Sequence, residues 1–278
     1  MKILFISCWY PAKDDQTNGI YIREHARAIK ASGKEIVVIA LRISNGNSFF
    51  TRKIELFTDE SELETHLIHV NSVFWKWLYS IPYFSHRFIS NYFSKEIAPK
   101  FSPDIIHSNI LYPCAIAGDK LARKLKKKHV ITEHWSGVEK FMKKNIFRSR
   151  GKRAYHNASA ISVVSKFLEH SVLPYCNDPK RVQIIPNVVD PSVFFFGDKR
   201  ESNCVTLTAI ATWNRFKMPH LFTEALFIIS KDLGKKIILN FIGEGEYLEK
   251  IKMSNFTKEE NFTINYLGIL DRKKVAET

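Results

Sequence analysis

Arg215 and Lys217 stand two positions apart in the turn Trp213-Asn214-Arg215-Phe216-Lys217. Before the turn, residues 205–210 alternate β-branched and apolar types, which suits a buried strand. After it, Leu221, Phe222, Ala225, Leu226 and Ile229 recur at helical spacing, with Pro219 where a first helical turn tolerates it. A helix N-terminus offers unpaired N–H groups and a partial positive charge, so two cations beside it point to a bound anion. A solvated basic turn is the alternative. A second polar cluster, Glu133-His134-Trp135-Ser136-Gly137, follows the short strand expected at 129–132. Open α/β sheets bind ligands at this end of their strands. His134 is therefore a candidate contact in a cleft, with a structural role as the alternative. The same two roles are open to His107, which closes a short strand at 104–107.

The elements needed to position these residues alternate along the chain. Residues 3–7 read as a strand, a helix begins near Ile20, and Gly33 sits where a helix would stop. The continuous apolar run 35–41 is the next strand, as in a parallel sheet covered on both faces. The first loop carries Asn18-Gly19 but no Gly-x-Gly-x-x-Gly, which argues against a nicotinamide or flavin enzyme. One or two short edge strands are expected within 50–70, a helix at 112–127, and further strands at 160–164 and 182–185. Residues 197–203 have the polar composition of a linker. Beyond it, strands at 205–210, 237–242 and 262–267, the turn Gly243-Glu244-Gly245 and a helix at 247–252 repeat the rhythm. The reading is an α/β chain of two domains, 1–196 and 204–278, with a cleft at the sheets' carboxyl edges.

With 45% hydrophobic and 25% charged residues over 278 positions, the composition is that of a soluble globular protein. No apolar run suggests a transmembrane helix. Cys8, Cys114, Cys176 and Cys204 show no paired spacing, so reduced thiols in a cytoplasmic protein are expected. His66 and His69, three apart in a strand, face opposite sides and make a poor metal pair. The net charge is +14, and residues 120–153 hold thirteen Lys or Arg against two acids, Glu133 and Glu139. Such asymmetry implies an anionic partner: nucleic acid, a phosphorylated substrate or a membrane. Residues 74–93 interleave aromatics with Lys76 and Arg87. Packing on the sheet explains part of that stripe; interfacial docking at an anionic membrane is the favoured reading.

Taken in order, several motifs resemble the retaining glycosyltransferases of family 4, which have the GT-B fold. They are Asn18-Gly19, Asp104-Ile-Ile-His107, Glu133-His134, Ser162-Val-Val-Ser165, Ile184-Ile-Pro-Asn187-Val-Val-Asp190, Lys217 and Phe241-Ile-Gly243-Glu-Gly245. The resemblance implies two Rossmann-like domains and a nucleotide-diphosphate sugar held mainly by the second. It assigns the donor diphosphate to Gly19 and Lys217. Thr212 replaces the family's usual arginine, and Arg215 is inferred to supply that charge. Gly243, Glu244 and Gly245 fall to the nucleotide, and His134 to catalysis at the transferred sugar or acceptor. His107, Glu133 and Asn187 fall to the acceptor or cleft; Val188 replaces the glycine that usually follows the asparagine.

The implied chemistry is front-face attack with retention, in which cations stabilise the departing diphosphate without a metal or cofactor. Asp14-Asp15 lacks the spacing of an Asp-x-Asp metal motif. The acceptor is expected to be a glycan or lipid-linked molecule of polysaccharide or glycolipid synthesis. The expected location is the cytoplasm, peripheral on the inner face of the plasma membrane, with no nucleic acid bound. The family's second domain continues into a Glu-x7-Glu motif that this sequence does not reach. An incomplete second domain, a fragment of open activity, is therefore expected. A non-catalytic basic module for nucleic acid or acidic glycans is the alternative, although no nucleic-acid-binding signature accompanies the charge.

Overall fold

The computed structural model describes residues 1–59, 61–195, 197, 203–253 and 260–278. Contacts divide the chain into two units, Met1–Val189 and Asp190–Thr278, so residues 190–195 group with the second. The linker expected at 197–203 lies outside the described residues except at its two ends.

In the first unit the strands are β1 (Lys2–Ser7), β2 (Glu35–Asn45), β3 (Thr51–Thr58), β4 (Glu64–Ser72), β5 (Ile105–Asn109), β6 (Lys128–Glu133), β7 (Ala160–Val163) and β8 (Val182–Ile184). They form one sheet in the order β3-β4-β2-β1-β5-β6-β7-β8. Only β3 is antiparallel to its neighbour. The stretch 50–70 was expected to give one or two edge strands; β4 pairs with both β2 and β3, so of the two only β3 is an edge strand.

Strand alternation sorts the core. Leu4 and Ile6 enter the cluster under α2 (Trp75–Ser80), α3 (Pro82–Tyr92) and α4 (Ile116–Leu125). Ile3 and Phe5 face the opposite way, against α1 (Ile20–Ala31). Gly19 precedes α1 in the left-handed region, and a Cβ there would overlap the Trp9 carbonyl. Only glycine combines that φ with so close an approach.

The helix expected at 112–127 is shorter than its periodicity suggests. Tyr112 is extended (φ −115°, ψ 128°), as the residue before Pro113 prefers. At the other end, Lys126 adopts a left-handed conformation and closes α4. Two helices absent from the sequence reading, α5 (Val138–Met142) and α6 (Asn145–Asn157), bury Phe141, Met142, Ala154 and Tyr155 with Ile131 and Ile161 of the sheet. Then α7 (Lys166–Val172) begins at Ser165, whose hydroxyl accepts from the Leu168 N–H.

The second unit has three parallel strands in the order β11-β10-β9: β9 (Cys204–Ile210), β10 (Lys236–Ile242) and β11 (Phe262–Gly268). Its helices are α8 (Pro219–Asp232), α9 (Glu246–Lys252) and α10 (Arg272–Glu277). Trp213, Leu239, Phe241, Leu248 and Phe262 form its core.

Candidate functional site

The first unit gathers polar side chains at the carboxyl ends of β1, β5 and β6. Tyr21 and His25 lie four apart on α1 and so share a face. His134, one residue past β6, contacts both rings, with centroids 5.3 Å from Tyr21 and 5.2 Å from His25. Asn109, at the end of β5, donates through Nδ2 to the Ile6 carbonyl at 3.3 Å. That bond turns its Oδ1 toward His134 Nε2, also at 3.3 Å. An amide oxygen only accepts, so Nε2 carries the imidazole proton and Nδ1 holds the lone pair.

Burial pushes the His134 pKa down to about 3, with His25 adding to the fall and Asn187 opposing it. The ring is therefore neutral at pH 7, a hydrogen-bonding group and not a cation. His107 lies within β5, where Phe5 packs edge-on against its ring at 4.9 Å. Burial, then the neighbouring histidines, push its pKa down to about 3 as well. Its Nε2 meets Thr132 Oγ1 at 2.7 Å, and Thr132 meets Ser162 Oγ at 2.6 Å. This rail of hydroxyls borders a groove of about 340 Å³ on the α1 side of the sheet, together with His25 and Gln183.

Glu133, expected to line the cleft, is fully buried. Its Oε2 accepts from Leu111 N at 2.9 Å and Tyr155 Oη at 3.1 Å. Its Oε1 accepts from Trp135 N at 2.9 Å and His134 N at 3.1 Å. Burial raises its pKa to about 7 against these four donors. The carboxylate has no face left for substrate; it fixes the backbone that carries His134. Asn187 is exposed, and its carboxamide acts on both His25 and His134. Gly19 shapes the loop at the start of α1.

In the second unit, Arg215 and Lys217 are exposed on the loop between β9 and α8. Trp213, almost fully buried, holds that loop in place. Its N–H donates to the Glu244 carbonyl at 2.9 Å and its indole N–H to the Ile242 carbonyl at 3.0 Å. Gly243 and Gly245 press against the carbonyls of Ala211 and Trp213 so closely that a Cβ would overlap them. The basic loop and the glycine turn are thus brought together at the strands' carboxyl ends, ahead of the 14-residue α8. Sequence reasoning placed Arg215, Lys217 and the glycines there but missed Trp213 as their clamp. It also missed Tyr21, His25, Asn109 and Tyr155. Only the four-residue spacing of Tyr21 and His25 after Gly19 offered a signal. Among the described residues, no three His, Cys, Asp or Glu side chains are placed to hold a metal ion.

Residues 19–193 match the profile of Glycosyltransferase Family 4. No curated protein sequence matches the chain. Among solved structures, Anabaena HepE in complex with UDP and glucose is similar, with a TM-score of 0.59 at 12% identity over 98% of this chain and 70% of that one. The lipopolysaccharide outer core galactosyltransferase WaaB gives 0.57 at 14% identity, over 100% of this chain and 71% of that one. The UDP-GlcNAc 2-epimerase of Methanocaldococcus jannaschii gives 0.56 at 13% identity, over 100% and 76%. Transferases and an epimerase share this GT-B architecture, so the likeness shows the fold, and the profile shows the family.

Proposed function

Because this chain belongs to Glycosyltransferase Family 4, we propose that it transfers a sugar, with retention, from a nucleotide-diphosphate donor to a glycan or lipid-linked acceptor. The observation that carries the reading is the basic loop ahead of α8, with Arg215 and Lys217, clamped by Trp213 to the 243–245 turn. As the bond from sugar to diphosphate loosens, negative charge grows on the departing phosphate oxygens. Fixed cations and helix N–H groups stabilise that charge more than they stabilise the intact donor. In this proposal they take the place of a metal. His134, neutral and held by Asn109, orients a sugar hydroxyl in the first unit. Calorimetry with UDP, GDP and ADP, with and without a chelator, tests the donor site. Binding of one nucleotide that survives chelation is expected; no binding of any would remove the reading.

The proposal includes attachment to an anionic membrane at the inner face of the plasma membrane. Supporting it, Phe49, Phe74, Trp77 and Tyr83 are 49–79% exposed around α2 and α3. Lys120, on the adjoining α4, stands 5.7 Å over the Tyr83 ring. Other helical residues of this region, Leu78, Ile89 and Tyr92, are core. Part of the basic excess also has internal duties, since buried Asp119 pairs with Arg123 at 3.1 Å and Arg153 at 3.6 Å. No helix among the described residues is long and apolar enough to cross a membrane.

A further inference from the structure

His25 has no part in the site as the sequence presents it, yet it is buried with its ring against that of His134. It is 7% exposed, and its Nε2 has no hydrogen-bond partner of acceptable geometry. The same holds for His134 Nδ1. The two rings meet edge to face, with an interplanar angle of 79°. Two imidazoles in one small region therefore each leave a nitrogen whose polar neighbour is the Asn187 carboxamide, placed short of good hydrogen-bond geometry. Buried polar atoms are normally satisfied, and an exception points to a partner that binds there.

We propose that His25, His134 and the Asn187 carboxamide form a subsite for the hydroxyl groups of an uncharged pyranose, with His25 as its specificity-determining residue. The inference rests on the transferase reading for the ligand's being a sugar. The atoms suit a hydroxyl. His134 Nδ1 carries a lone pair, because Nε2 donates to Asn109, so it accepts a hydroxyl proton. The hydroxyl oxygen retains lone pairs for a donor, which the Asn187 amide can supply. Tyr21 offers an aromatic face beside the same ring.

The electrostatics select against charge. Burial and Asn187 are what act on His25; burial, His25 and Asn187 are what act on His134. No lysine, arginine or available carboxylate enters either set. Both oxygens of Glu133 are already committed to four donors. A uronate would lose hydration here without gaining a counter-ion, and an ammonium sugar would do the same. Neutral hydroxyls exchange water for imidazole at little cost.

Imidazole ¹⁵N spectra of the full chain give the test. The probes are the methyl glycosides of glucose, galactose and N-acetylglucosamine, with methyl glucuronoside as the charged counterpart. At least one neutral glycoside should move the His25 and His134 signals and bind about tenfold more tightly than the glucuronoside. His25→Phe should abolish the response and His25→Gln restore part of it, both with melting temperatures near that of the parent. The proposal is overturned if no neutral glycoside shifts either ring, if the glucuronoside binds equally well, or if a folded His25→Phe responds like the parent. Glycoside binding in a chain that binds no nucleoside diphosphate would leave the subsite standing and remove the transferase reading. Sugar transfer unaffected by His25→Phe, with both rings silent, would do the reverse.

Discussion

Each unit brings loops to the carboxyl end of a parallel sheet, but the two ends are built on opposite physical terms. In the first unit the candidate groups are buried or half-buried and neutral: His25, His107 and His134 all have pKa values lowered mainly by desolvation. In the second, Arg215 and Lys217 are exposed on a loop, and what is buried is the tryptophan beneath them. A cation attracts phosphate through solvent and over several ångströms, so it needs only a rigid base. A neutral hydrogen bond works only at contact and against water, so its partners must be enclosed and oriented beforehand.

The largest effect should come from the clamp. Trp213→Ala removes a core ring and the indole hydrogen bond to the Ile242 carbonyl, and should destabilise the second unit by about 3–5 kcal/mol. Denaturant unfolding that leaves the second unit as stable as before would show that the loop is held by something else.

Next comes the pH response of the first unit. His107 and His134 titrate at about 3 and His129 at about 4 in the folded chain, below the ordinary histidine value of 6.5. Their contribution is present above pH 6.5 and is lost as pH falls toward the folded values. Glu133 has the opposite sign. Its folded value of about 7 exceeds 4.5, so its contribution is full below 4.5 and fades as pH rises through 7. Unfolding free energy should therefore drop on acidification below 6.5, with Glu133 opposing the drop by about 3 kcal/mol. Glu133→Gln should steepen the decline; an unchanged slope would mean that folding does not raise the Glu133 pKa.

Lys217→Ala should weaken nucleoside-diphosphate binding by about 1–3 kcal/mol, as for a charge-assisted hydrogen bond. Calorimetry showing unaltered affinity would take Lys217 out of the site. His134→Ala should reduce turnover about tenfold, the scale of one neutral hydrogen bond, while the melting temperature holds. A fall in stability with normal kinetics would make His134 structural. The smallest change is at the aromatic patch. Phe74→Ser and Trp77→Ser should each loosen attachment to anionic vesicles by about 1 kcal/mol, with salt weakening what remains. Equal sedimentation with neutral vesicles would eliminate the charge contribution.

The second unit was largely legible because its chemistry is local. Strand, turn, cations, proline and helix follow one another between Cys204 and Asp232, and periodicity alone orders them. The first unit was harder. Glu133 closes a strand at the sheet's carboxyl end, which suggested the cleft, but its side chain points into the core closed by α5 and α6. Those helices escaped notice because α6 carries four arginine or lysine positions and few apolar ones, hiding its buried Ala154 and Tyr155. The aromatic segment was ambiguous for a related reason. Its residues divide between core and surface, and loop residues Phe49 and Phe50 complete the patch with rings 5.4 Å from Phe74 and 5.8 Å from Phe88.

By itself, the sequence determined the βα rhythm, the glycine at the head of α1, the basic loop ahead of α8 and the order of motifs that identifies the family. These rest on spacing along the chain, which neighbouring residues set. Only the tertiary structure decided which groups are charged and which nitrogens lack partners. Those properties depend on desolvation and on hydrogen bonds between distant segments: His25 against His134, Asn109 against Ile6, Tyr155 against Glu133. A residue's type fixes what its side chain can do, and the packing around it fixes the protonation state and direction in which it does so.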